Sequence, residues 1–538
     1  MPRPPFLKSA TSYEDLWSQI DWQTFPIPQQ FNLGVACLDD NDPAARALTV
    51  VGEDRTSTDY TFGDITDRAN RLANTLTAVG IEREDVVAII NPQSLETAVS
   101  FMAIYRMGAI ALPLSHLFGP DALRYRFENS GARAIIVTAR NADRVREAVG
   151  DRAVKIIVIG ADAGPGEIDF DSAMGSASAQ FTPVDTAAED PAMLIYTSGT
   201  TGNPKGALHA HRLVFGQIPI FEACYDFYPK PGDVLWSIAD WAWIAGIMDI
   251  LIPAWFYGLP VIVDQHEAFD PERAVWLMRE HQVSLSLLPA TALRGIRAKG
   301  LPGGDFSFRA VASGGESLGA DMHAWASEFF GCDVNDAYGQ TEMNGLCCHS
   351  GRVFPTKPGA TGRPGPGNIV AILDDNGESV VNQMGEIAVD RRHPLVMKEY
   401  WQNPQATKEK FHGNWLLTGD LGHMDEDGYV WFDSRKDDVI NSSGYRIGPT
   451  EIEDCLGSHD SVAMAAVIGV ADDRRGQVPR AYVVLREDIE ANDDLIDTLR
   501  SHVRNRLAAH EVPRDIIFVA DLPRTTTGKI MRRELSKD

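Results

Sequence analysis

Cysteine is scarce, with six in 538 residues. They are Cys37, Cys224, Cys332, Cys347, Cys348 and Cys455, and none forms a C-x-x-C pair. The histidines add no zinc-ligand spacing, so zinc-ribbon and dithiol-redox classes are set aside. Such usage fits a reducing compartment. Positive charge is short as well: 49 Lys and Arg face 75 Asp and Glu, a formal net charge of -26. Nucleic-acid binders favour basic surfaces, so that partner class is not expected. A long apolar run is missing. The most apolar stretch, GIMDILIPAWFYGLPVIV (246–263), is broken by Asp249, Pro253 and Pro260. It reads as buried helix, turn and strand, not as a membrane span. The opening MPRPPFLKSATSYEDLW lacks a signal peptide's apolar core. What remains is the expectation of a cytoplasmic protein of ordinary globular composition, 44% hydrophobic and 23% charged.

A chain of this length holds about two to four domains. Short β-branched runs alternate with helical patterns. VVAII (86–90) reads as a buried strand, and 94–107 has helical spacing behind a Ser94 N-cap. AIALPL, AIIVT (134–138) and KIIVIG (155–160) continue the strands, the βαβ pattern of a doubly wound parallel sheet. The pattern recurs: 118–137 and 269–288 each run from Phe through a Pro-acid helix start to an amphipathic helix and a strand. The expected fold is α/β. A large N-terminal domain (1–434) has two similar halves (about 60–180 and 190–350) and a β-rich part (351–434). Residues 161–190 are small, acidic and poorly periodic, and read as a surface connection. A small α+β domain (439–538) ends the chain, with strands at 462–470, 481–485 and 514–520 and a helix over 494–510.

The densest chemistry is YTSGTTGNPKG (196–206): three Thr, one Ser, three Gly and one Lys. Glycines turn backbone N–H groups inward, hydroxyls donate, and lysine adds charge, which suits phosphate. The Walker spacing is not met. Pro204 precedes Lys205 and Gly206 follows it; Gly528–Lys529 has Pro523 where that motif needs glycine. HAHR (209–212) reads as a surface or cap segment opening a helix.

Four more signatures follow in order: ASGGE (312–316), AYGQTE (337–342), LTGD (417–420) with YVWFDSRKDDVINSSGYRIGPTEIE (429–453), and PRTTTGK (523–529). With the loop at 196–206 they resemble the acyl-adenylate-forming (AMP-binding) superfamily across about residues 60 to 535, and medium-chain acyl-CoA synthetases most of all. The resemblance implies that ATP and a carboxylic acid give acyl-AMP, and that coenzyme A then takes the acyl group. Thr197, Ser198, Gly199, Thr200, Thr201 and Lys205 would clamp the β- and γ-phosphates. Thr341 would donate to the α-phosphate and Glu342 would hold Mg2+. Gly315, Glu316 and Ser317 would line one adenine face, and Asp336, Ala337 and a stacking Tyr338 the other, with Gln340 beside them. Asp420 would accept the ribose hydroxyls, Arg435 would support the ribose or phosphate, and Arg446 would assist the ATP phosphates. Lys529 would be the catalytic cation, and its acylation would switch it off. Residues 435–438, with Asp437, would be a hinge about which the small domain rotates. Gly444 and Tyr445 would then line the pantetheine channel. Relatives carry glycine where this chain has Ser434, which would be strained if that glycine had positive φ.

For the acyl group the resemblance points to Trp241, Trp243, Ile244, Gly314 and Gly339. Acetate-specialised relatives carry tryptophan at the Gly339 place and valine at the Gly314 place. Their absence predicts a deeper pocket, favouring acids of about four to eight heavy chain atoms at ~0.8 kcal/mol per buried methylene. Loading of a carrier protein and non-catalytic nucleotide binding stay as alternatives, and homodimerisation is left open.

Overall fold

A computed structural model describes residues 3–160, 163–197, 203–266, 268–316, 318–442, 445–472, 475–487, 489–507, 511–525 and 530–535. It has four sheets. In the eight-stranded sheet, Val86–Ile90 pairs in parallel with Ile110–Pro113 and Ala134–Thr138. Every residue of Val86–Ile90 is buried, because helices cover both faces and the strand needs no polar side. Leu95–Arg106 follows as the covering helix, and Ser94 Oγ caps it by accepting from Thr97 N at 3.1 Å. The nine-stranded sheet runs in spatial order 363–364, 344–348, 333–340, 310–314, 285–287, 235–237, 261–264, 46–51 and 57–61.

The two α/β layers are present, but their strands do not divide at 180–190. The hairpin Pro191–Thr197 and Lys205–Ala210 extends the first sheet, next to Ile110–Pro113. Arg46–Val51 belongs to the second, in parallel with Val261–Asp264. A strand's periodicity reports that it is buried, not which edge it joins, so chain order placed the 191–210 hairpin in the wrong half and left 46–51 unassigned. The segment 161–190 also holds more structure than expected among its described residues. Ile168–Asp169 adds to the first sheet and Phe170–Ser176 is a helix with Phe170 and Met174 buried. Two apolar residues are too few to show as periodicity.

The third sheet is built from 370–373, 379–380, 385–390, 411–412, Trp415–Met424 and Val430–Arg435. One hydrophobic core runs through these three sheets. The fourth sheet, from Ile440–Ser442 to Asp515–Phe518, has cores of its own. Apolar 246–263 forms the expected buried helix and strand. Ile244–Gly246, a widened π turn Ile247–Leu251 and Ile252–Phe256 make one broken helix before Val261–Asp264. Among the described residues no helix is long and apolar enough to cross a membrane.

Candidate active site

The hydroxyl-rich loop springs from the antiparallel hairpin, with Thr197 opposite Lys205. Thr197 Oγ1 donates to the Lys205 carbonyl at 3.5 Å; Ser198, Gly199, Thr200 and Thr201 lie outside the described residues. Lys205 Nζ stands 5.4 Å from the centre of the Tyr400 ring. Tyr400 arrives on Glu399–Tyr400, which pairs with the hairpin's outer strand. Its hydroxyl donates to Glu342 Oε1 at 2.5 Å. One tyrosine thus holds the expected phosphate cation beside the expected metal ligand. Burial alone would raise the Glu342 carboxyl. The Lys410 cation at 4.0 Å, the Tyr400 hydroxyl and Arg435 outweigh burial and hold it below the usual carboxylate range. His209 Nε2 donates to the Thr341 carbonyl at 2.8 Å, fixing the backbone just before Glu342. Burial pushes His209 down to about 4, so it stays neutral. The surface reading of HAHR therefore fails: His209 and His211 are both buried, and His211 Nδ1 accepts from Leu33 N at 3.2 Å. Arg212 is the cap residue of the helix Leu213–Cys224.

The nucleotide motifs meet across two parallel strands. Ala310–Gly314 and Asp333–Gln340 place Ser313 beside Asp336 and Gly314 beside Ala337. Both motifs thus sit at the carboxyl ends of neighbouring strands, where open α/β sheets bind ligands. Gly315 has φ +88°, a turn that glycine makes without strain. The Glu316 carboxylate accepts from Thr291 N at 2.7 Å and pairs with Arg294 at 3.2 Å. That leaves its backbone, not its side chain, to face a base; Ser317 lies outside the described residues. Asp336 is enclosed, and burial lifts its carboxyl to about 7.

Asp420 is the centre of the arrangement. Tyr338 Oη and Gln340 Nε2 each donate to its Oδ2 at 2.5 Å, and Arg435 Nη1 lies 3.0 Å from Oδ1. The hydroxyl of Tyr338, the ring expected to stack, is therefore tied to Asp420. Asp420 Oδ1 is buried and accepts no well-aligned hydrogen bond. Glu342 stands as a lone carboxylate, since no group of three His, Cys, Asp or Glu capable of holding a metal occurs among the described residues. One carboxylate beside a phosphate site suits Mg2+, which takes its other ligands from phosphate and water.

Family comparison agrees with this arrangement. The AMP-binding enzyme profile matches residues 39–401, and the profile of the AMP-binding enzyme C-terminal domain matches 451–529. The chain belongs to the AMP-binding enzyme family, among the acyl-CoA synthetases. It is 34% identical to an acetyl-coenzyme A synthetase of Bacillus subtilis over 88% of this chain and 84% of the relative. It is 30% identical to human acyl-coenzyme A synthetase ACSM3, mitochondrial, over 95% and 90%. Among solved structures, an anthranilate CoA ligase in complex with anthranoyl-AMP superposes with a TM-score of 0.87, at 26% identity and covering 96% of this chain and 98% of that one.

The synthetase's expected acyl residues divide. Trp241 is 1% exposed and packs in the core. Trp243 meets Phe118 edge-on at 6.2 Å, and Ile244 is buried at the helix start. The deep-pocket reading of Gly339 and Gly314 is overturned. A Cβ on Gly339 would lie 1.7 Å from the Asn344 carbonyl oxygen, and one on Gly314 would lie 2.9 Å from the Ala337 oxygen. The pairing of 333–340 with 344–348 shifts register between Tyr338 and Gly339, which turns Gly339 toward its partner's backbone. These glycines let backbones approach; they are not missing side chains around an acyl chain.

Ser434 is not strained. It is buried in Val430–Arg435, outside the positive-φ positions, and donates to Asp433 Oδ2 at 3.0 Å. Past it, Arg435 faces Asp437 at 3.8 Å, and Arg532 pairs with Asp438 at 3.2 Å. Gly444, Lys529 and the side chains of Tyr445 and Arg446 lie outside the described residues. Sequence reasoning missed Tyr400, Lys410 and the positioning role of His209. None sits inside one of the five motifs, and no spacing marks them.

Proposed function

We propose that this synthetase joins a carboxylic acid to ATP, releasing pyrophosphate, and then passes the acyl group from acyl-AMP to coenzyme A. The observation that carries this is the orphaned Asp420 Oδ1: a buried carboxylate oxygen, aligned by Tyr338, Gln340 and Arg435, still has an acceptor to offer a ribose hydroxyl. In this reading Lys205 and the loop after Thr197 hold the leaving phosphates, and Tyr400 keeps Lys205 and Glu342 in register. Asp336 receives the amino group of the base. Glu342 would hold Mg2+, which offsets phosphate charge when bound. Thr341, its carbonyl fixed by His209, turns its hydroxyl to the α-phosphate. Lys529 bridges carboxylate and phosphate as charge moves between them, so acylation of Lys529 would stop the first step.

The same reading puts a hinge at 435–438. It is supported by the third sheet ending at Arg435, the fourth beginning at Ile440, and their separate cores. Rotation there would exchange Lys529 for the Gly444–Tyr445 face. The cysteine usage supports a cytoplasmic setting. An acid larger than acetate remains our reading, supported now by the partly open Ala245 and Asp249 on the helix from Ile244 rather than by Gly339 and Gly314.

The test is AMP release over a panel of acids, with and without coenzyme A. Release that needs both acid and coenzyme A is expected. Release with acid alone, undiminished in rate, would assign the second step to a carrier protein.

A further inference from the structure

Asp249 is a carboxylate deep in the chain with no cationic partner among the described residues. It sits in the widened turn Ile247–Leu251. Pro253, four residues on, has no N–H to give the Asp249 carbonyl, so the α ladder breaks there and the turn opens. Asp249 follows Ile244 by five residues on the same broken helix.

Three elements converge on this carboxylate. Asn344 Nδ2 donates to Oδ1 at 3.0 Å, and Gln217 Nε2 donates to the same oxygen. Gln217 comes from Leu213–Cys224, a helix with Pro219 inside it, and its Oε1 accepts from Gly345 N at 3.4 Å. Oδ2 accepts no hydrogen bond among the described residues. Asp249 keeps accessible surface despite its depth, and so do Gly339, Gly345 and Ala245. These partly open residues lie on the broken helix that begins at Ile244, the residue expected at the acyl group, and on the hairpin whose Asn344 holds Asp249. Burial lifts the Asp249 carboxyl to about 7 because two neutral amides do not compensate its charge, and a cation brought by a ligand would hold it ionised.

We propose that Asp249, positioned by Gln217 and Asn344, receives the far end of the acyl substrate, and that this substrate is a carboxylic acid carrying a protonated amine at that end. The inference rests on the adenylation reading and names its substrate class. The range to test is ω-amino acids of about four to eight heavy chain atoms, the length expected for the acyl group.

The experiment measures kcat/KM by AMP release from the full-length enzyme with coenzyme A. It pairs each ω-amino acid of that range with the alkanoate of equal length and with the ω-hydroxy acid. The wild type should favour the best amino acid over its alkanoate by at least about tenfold. Asp249→Asn should reduce that ratio by about tenfold, and Asp249→Leu should invert it. Gln217→Leu, a milder change, should move the ratio in the same direction. Each ratio is taken within one protein, so a loss of folded enzyme cancels. A wild type that prefers alkanoates or hydroxy acids, or a ratio indifferent to Asp249, overturns this inference alone. Absence of AMP release with every acid would overturn the adenylation reading and this one with it.

Discussion

Replacing Gly339 with alanine adds a single methyl group, and the structure sets its consequence. The new Cβ would stand 1.7 Å from the Asn344 carbonyl oxygen, 2.5 Å from its carbon and 3.0 Å from Gly345 Cα. All three are backbone atoms, so no rotamer relieves the clash. To regain ordinary contact the strands must part by more than 1 Å, on the order of half a van der Waals contact distance. Overpacking a well-filled site costs typically about 1–3 kcal/mol, and a backbone obstacle puts this one at about 3 kcal/mol. The control lies in the same hairpin: a Cβ on Gly345 would meet Ile220 Cγ2 at 3.3 Å and Gln217 Oε1 at 3.4 Å, side-chain atoms that can yield. Gly345→Ala should cost less than about 1 kcal/mol. Denaturant midpoints at unchanged slope would measure both. Gly339 also lies between Tyr338 and Gln340, the two donors to Asp420, so Gly339→Ala should raise the KM for ATP as it destabilises. Wild-type stability and an unchanged acid preference in Gly339→Ala would refute the close-approach argument.

Other tests address the site directly. Tyr400→Phe keeps the ring near Lys205 but removes the hydroxyl from Glu342, a charge-assisted bond of about 1.5–3 kcal/mol, so kcat/KM for ATP should fall roughly tenfold or more. An unchanged ATP and magnesium dependence would show that Tyr400 merely packs. Asp249 is raised by burial to about 7 from 3.8, so the folded state binds more protons than the unfolded state between those values. Its contribution to stability is present below the unfolded pKa and is lost as pH rises through the folded one. Asp249→Asn should therefore gain on the wild type as pH climbs from about 4 to 7, by at most about 1.4 kcal/mol per unit, and level off above. Denaturant titrations at several pH values read that slope, and a flat difference refutes the buried-acid assignment. Lys529→Ala should nearly abolish acyl-AMP formation while sparing thioester formation from supplied acyl-AMP; equal loss of both half-reactions would refute a lysine that serves one step.

The nucleotide site was legible because its parts are local. ASGGE and AYGQTE each end a strand, and parallel pairing of those strands brings Gly314 beside Ala337 without further help. Tyr400 and Lys410 were not legible because each reaches the site from an element outside the motifs, and His209 because it sits on the loop's own outer strand just past the last motif residue. Tyr400 acts on Glu342, 58 residues away in sequence, through a two-residue strand with no pattern to read. Gly339 misled for a different reason. Comparing residue sizes assumes that a side chain at that place would point into the pocket, and a register shift decides otherwise. The strands of the two α/β layers were read correctly as strands, yet pairing across the layers is settled by contacts distant in the chain.

The tight seam at Gly314 and Gly339 bears on how such an enzyme can diversify. That seam is backbone pressed against backbone, and it tolerates almost no experimentation. A relative with a bulky residue at the Gly339 place must space that hairpin differently. The broken helix from Ile244 through Asp249 instead presents side chains on a segment already freed from strict helical geometry by Pro253. Selection for a new acid, whether natural or in the laboratory, has its cheapest route there, where single substitutions change side chains and leave the backbone seam in place.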